Sequence, residues 1–180
     1  MLGIAAIKPI GEDAVRVITI NETTIVVNDV APKLPLDGAQ VESHTGNGWV
    51  VVEKRTDGLY VGGNKVVLYL SRRQQGSKSL NGYELRDEPT RKPVFNANLL
   101  DALLENPHLI PEDWKKDGEG YTRHIFFWGT IYRSPGGDPF VYSLFWSDDG
   151  WHRGSRFLLD VWNVARPAAL RAVPTGRQAS

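Results

Sequence analysis

The side chains able to do acid-base or metal chemistry here are four histidines and 21 carboxylates, with no cysteine among the 180 residues. His44, His108, His124 and His152 show no ligand spacing with one another or with a carboxylate, so neither a metal site nor a cofactor is expected. Lack of cysteine removes disulfides, zinc thiolates and thiol catalysis. One pairing has catalytic form. In the hairpin meander read below, His124 falls opposite Asp148, and a histidine hydrogen-bonded to a carboxylate can serve as a general base. No nucleophile elbow, phosphate loop or dinucleotide fingerprint accompanies it. A small hydrolase or nuclease using His124 with Asp148 is therefore the alternative to a non-enzymatic binding or interaction protein. The carboxylates of Asp148 and Asp149 are also explained as turn residues.

Ring chemistry is the stronger signal. Between Tyr121 and Trp162, 12 of 42 residues are Phe, Tyr or Trp, which marks a sheet built around aromatic side chains. Trp128, Tyr132, Tyr142 and Trp146 carry polar handles, and Trp146 opposite Arg153 would form a cross-strand cation-π pair. These five residues are the candidate binding set. Such a platform stacks on sugar rings or unpaired bases, each base being worth about 1–3 kcal/mol per aromatic side chain. The same face would also serve as a partner or self-association interface, or pack as structural core with the function elsewhere. Arg72, Arg73 and Lys78 are candidate phosphate contacts if they border that face. The tail beyond Asp160 adds Arg166, Arg171 and Arg177 with no acid.

The elements that must position these groups follow from the turns. Asp149-Gly150 reads as a two-residue hairpin turn, and residues 134–138 as a longer one, giving strands over 124–133, 139–147 and 151–158. With Asp148 facing Trp151 and Arg133 facing Pro139, alternation places Phe126, Trp128, Tyr132, Tyr142, Leu144, Trp146 and Arg153 on one face. His124 and His152 then point to opposite faces. Ile125, Phe127, Ile131, Val141 and Phe145 form the second, more aliphatic face, where a helix carrying Leu99, Leu100, Leu103 and Leu104 would seat. Asn98 is the expected cap of that helix, with Asp101 at capping-box spacing, and a second helical turn after Pro111 carries Trp114.

Upstream, β-branched runs at 15–20, 24–30, 49–54, 59–61 and 66–70 alternate with turn residues and predict a meander curling into a small barrel, SH3-like in form. The fold class is thus α+β and β-rich: a small β unit over 1–75, a polar connection over 76–93, a helix pair on a three-stranded antiparallel sheet over 94–165, and a basic tail over 166–180, disordered after Pro174.

Equal numbers of basic and acidic residues, 21 each, leave no global field to attract nucleic acid or an anionic membrane. Lys8 and Pro9 interrupt the apolar start before a signal-peptide core forms, and no apolar run reaches the roughly 20 residues of a spanning helix. A cytoplasmic protein without membrane contact is expected, and Asn21-Glu22-Thr23 reads as a hairpin turn rather than a glycosylation acceptor.

The segments NANLLDALLENPHLIPEDWKK and IFFWGTIYRSPGG, followed by FWSDDGWHRG, resemble a family of uncharacterised bacterial proteins with an NPHLIPEDWK-like helix and an FFWGTIYR-like strand. The resemblance runs over most of the chain. It implies a bacterial grouping without an activity, ligand or fold. An acidic Trp-Leu-Asp-rich stretch follows the third strand in that family, whereas residues 157–162 here keep one acid, Asp160.

Overall fold

A computed structural model describes residues 16–76 and 80–172. Lys78, Arg177 and the segment after Pro174 therefore lie outside the described residues. Five strands of the N-terminal part form the expected meander: β1 (Val17–Asn21), β2 (Thr24–Asn28), β4 (Trp49–Arg55), β5 (Gly58–Val61) and β6 (Asn64–Tyr69). Gly62 and Gly63 turn β5 into β6, both at positive φ, as a tight primed hairpin demands. The expected barrel does not close. Closure would return the last strand to β1, but the free side of β6 is taken by β11 (Ala168–Arg171), whose Ala-Ala-Leu run lies in the stretch read as a basic tail. β3 (Gln40–His44) leaves the meander and pairs with β8 (Thr130–Arg133). With Val41 its one aliphatic residue, β3 carries little of the alternation that marks a strand.

The polar connection contains local structure. Short helices α2 (Gly82–Leu85) and α3 (Asp87–Thr90) occupy it, preceded by α1 (Arg72–Gly76) at the end of the β unit, and α2 starts from a reciprocal capping box between Asn81 and Glu84. α4 (Ala97–Glu105) follows, capped by Asn96 rather than Asn98: Asn96 Oδ1 accepts from Leu99 N at 3.1 Å, and its backbone is extended. Beyond Pro107 come two single 3-10 turns, Pro107–Leu109 and Glu112–Trp114, and the second buries Trp114.

In the C-terminal sheet β9 (Pro139–Ser147) is central, with β10 (Gly150–Phe157) on one side and β7 (Ile125–Phe126) and β8 on the other. Arg133 does face Pro139. The β9–β10 turn is Asp148-Asp149, with Ser147 opposite Gly150, so Trp146 meets Trp151 and Arg153 meets Leu144. This register differs by two residues from the one read in sequence and leaves β10 on the same faces.

The strand over 124–133 behaves differently, because it breaks after Phe126. From Phe126 to Tyr132 the chain advances six residues while its β9 partners, Ser143 and Phe140, are three apart. Three extra residues are an odd number, so the part before the break turns to the opposite face. Gly129 makes the break possible: its N–H donates to Phe95 O at 2.8 Å, and a Cβ there would stand 2.6 Å from that oxygen.

Two packed faces result. Ile125, Leu144 and half-buried Tyr142 share one cluster with Leu99, Leu100 and Leu103 of α4 and with Ile25, Val27, Val52 and Leu59 of the meander. α4 thus covers the Tyr142 face and not the Phe145 face, and both halves of the chain contribute to this core. The opposite face packs Phe126, Ile131 and Val141 against Leu80, Leu85 and Leu158 around Trp128 and Trp162, whose ring centroids are 4.8 Å apart.

Polar side chains lock these parts together. His44 Nε2 lies 2.8 Å from Asp29 O, and because a carbonyl only accepts, that nitrogen carries the proton. His44 Nδ1 then accepts from the Thr130 hydroxyl at 2.8 Å, while Thr130 Oγ1 accepts from Ala97 N at 2.9 Å. Burial pushes His44 below its ordinary pKa, partly offset by Asp29. Among the described residues no helix is long and apolar enough to cross a membrane.

Candidate functional site

A cleft of about 550 Å³ opens where α4 crosses the Tyr142 face of the sheet, walled on its far side by β1, β2 and residues 33–35. α4 presents Asn98, Asp101, Ala102 and Glu105 to it, a spacing that places them on one side of a helix. The sheet supplies Tyr132, Tyr142 and Arg153, and the opposite wall supplies Arg16, Lys33, Leu34 and Pro35.

At its centre Arg153 Nη2 donates to Asp101 Oδ1, and the same guanidinium lies 5.1 Å from the centroid of the Tyr142 ring. The pair is a cation held between a carboxylate and a π face, a geometry suited to arginine. Burial raises the Asp101 carboxyl above its usual value, opposed by Arg153 and then Arg16. Burial likewise raises both tyrosine hydroxyls. Tyr132 Oη donates to Lys33 O at 2.9 Å, which ties the wall at 33–35 to the sheet.

Asn98 ties α4 to the far wall of the cleft. Its Nδ2 donates to Asn28 O and Ala31 O, each at 2.9 Å, so the amide is fixed: a flipped group would set its oxygen against two carbonyls. Asn98 Oδ1 is left buried without a hydrogen-bond partner, although the residue is 95% buried by its 5% exposure. Orphaned acceptors of this kind cost about 1–3 kcal/mol and are uncommon in packed proteins.

Of the five residues singled out by sequence, Tyr132, Tyr142 and Arg153 meet in the cleft. Trp146 shares their face but lies toward the β9–β10 turn, with Trp151 edge-on at 5.5 Å and Lys115 Nζ 3.6 Å from its centroid. The expected Trp146–Arg153 pair is replaced by Trp146–Lys115 and Tyr142–Arg153. Trp128 is 2% exposed in the opposite cluster and presents no surface. Arg72 and Arg73 do not line the cleft; Arg73 Nη1 donates to Glu84 O at 2.6 Å.

His124 stands opposite Phe145, with ring centroids 4.9 Å apart, and no hydrogen bond joins it to Asp148. Asp149 binds His152 instead, at 2.8 Å, and His124 and His152 lie on the same face of the sheet. The general-base pair read in the sequence depended on a register without the break at 127–129. Among the described residues no group of three His, Asp or Glu is arranged to hold a metal ion.

Sequence reasoning missed Asp101 and Asn98 as site residues. Their spacing with Glu105 was the available signal, a polar stripe running beside the leucine stripe, hidden because Asn and Asp also read as caps.

No family model, curated protein or solved structure matches this chain.

Proposed function

We propose that the protein is a non-enzymatic binding protein whose cleft takes a small, uncharged, polyhydroxylated ligand such as a sugar. The observation that carries the reading is the Asp101–Arg153 pair held against the Tyr142 ring inside a cleft that Asn98 and Glu105 also line. A sugar offers what this set lacks: hydroxyls that donate to a carboxylate, accept from a guanidinium, and sit beside an apolar wall of Val17, Leu34 and Pro35. The Asp101–Arg153 pair supports an uncharged ligand, since each charge already has its partner. Single-stranded nucleic acid is less well supported, because the basic residues expected to take phosphates stand outside the cleft.

The test is a glycan array followed by calorimetry on the sugars retained. Asp101→Asn and Arg153→Ala each remove a charge-assisted hydrogen bond worth about 1.5–3 kcal/mol, so affinity falls roughly 10- to 150-fold. Binding by wild type changes little with salt. A wild-type protein that retains no glycan, or variants that bind as well as wild type, would refute the proposal.

A further inference from the structure

On the other face of β9 and β10, turned away from the cleft, three rings form a row across the strands. Phe145 is flanked by His124 at 4.9 Å and His152 at 5.6 Å between centroids. Two guanidiniums border the row. His124 N donates to Ala165 O at 2.9 Å, which brings Arg166 alongside, and the charges of Arg166 and Arg156 both bear on His124.

The segment that carries Arg166 is held firmly. Buried Gln74 donates from Nε2 to Asn163 O at 3.1 Å and to Arg166 O at 2.9 Å, and its Oε1 accepts from Ser71 N. Among the described residues Arg156 spends only Nε, on Val161 O at 2.7 Å, and its terminal nitrogens have no hydrogen-bond partner. Among the described residues Arg166 makes no side-chain hydrogen bond, and no carboxylate comes within ion-pairing distance of either arginine. Asp160 acts on Arg166 only at longer range, and Asp149 is engaged by His152 and Ser147. Two half-buried, mutually repelling guanidiniums on a fixed scaffold, beside a titratable imidazole, are short of an anion.

We infer that Arg156, Arg166 and His124 form a second binding site, for a phosphate group that is either free or carried by a small molecule. The ring of Phe145 offers an apolar floor for the rest of an organic phosphate. The site is separate from the sugar cleft and does not depend on it.

The test follows the histidine ring resonances by NMR while inorganic phosphate or phenyl phosphate is added at constant ionic strength, with chloride as the control. His124→Asn assigns the His124 signal. Saturable shifts of His124 with both phosphates, absent with chloride, are expected, and Arg166→Gln and Arg156→Gln should each weaken binding about tenfold. Tighter binding of phenyl phosphate assigns the site to organic phosphomonoesters; equal binding assigns it to free phosphate. Sulfate, whose charge is constant, should bind more tightly as pH falls below 6.5 and His124 gains its proton beside His152, Arg156 and Arg166, with Asp149 and Asp160 as the neighbouring acids. Non-saturable shifts, or equal affinity in wild type and Arg166→Gln, would overturn the proposal. The Arg166 side chain has no hydrogen bond to lose among the described residues, so that variant is expected to keep the wild-type melting temperature, read by circular dichroism.

Discussion

At the scale of single residues, proton chemistry links the core to pH. The native pKa of His44 is depressed by burial and that of His124 by burial together with Arg166 and Arg156. An unfolded chain, with both histidines near 6.5, therefore binds more protons in the window below that value. The contribution of these two histidines to stability is full above pH 6.5 and is lost as pH drops toward their native pKa values. His44→Gln should lessen this slope, since a glutamine amide can donate to Asp29 O and accept from Thr130 without titrating; urea melts of both proteins across pH 5–8, a range of about three units around the ordinary histidine pKa, check it. An unchanged slope would remove His44 from the account. Tyr132, Tyr142 and Arg153 were legible in sequence because alternation depends only on parity, which a two-residue slip preserves. Asp101 and Asn98 were not, because one side-chain type serves capping and ligand binding alike. Only the extended backbone at Asn96 decides which asparagine caps α4.

Elements fix which residues can share a face, and the break between β7 and β8 is decisive. It removes Trp128 from the predicted binding face and places His124 beside Phe145. Gly129 within an otherwise bulky run was the available sign, since glycine inside a strand marks a bulge or a close backbone approach. The size of the bulge, and hence the flip, depends on Phe95 accepting the Gly129 N–H, a contact between distant segments that local sequence does not carry. Gly129→Ala should force the Phe95 backbone aside and lower stability by about 1–3 kcal/mol or more, read as a lower urea midpoint with an unchanged slope. A neutral outcome would mean the approach is looser than described.

For the molecule as a whole, the β-rich α+β class was legible from turn spacing, whereas the continuity of the sheet was not. β6 meets β11 across nearly 100 residues of chain, and no local pattern announces that pairing. Trp128 tests the packing of the second face. Trp128→Ala should cost about 3–5 kcal/mol, a large share of the stability of a protein this size, and show as a much lower melting temperature or an unfolded product. A cost below about 1 kcal/mol would instead mark Trp128 as surface. Sugar binding, as proposed, takes place in the cleft between α4 and the sheet. Its most direct measurement is a backbone amide NMR titration with a glycan retained on the array. The predicted result is saturable shifts concentrated at Asn98, Asp101, Tyr142 and Arg153, lost in Asp101→Asn; shifts that leave these residues unmoved and cluster elsewhere would contradict it.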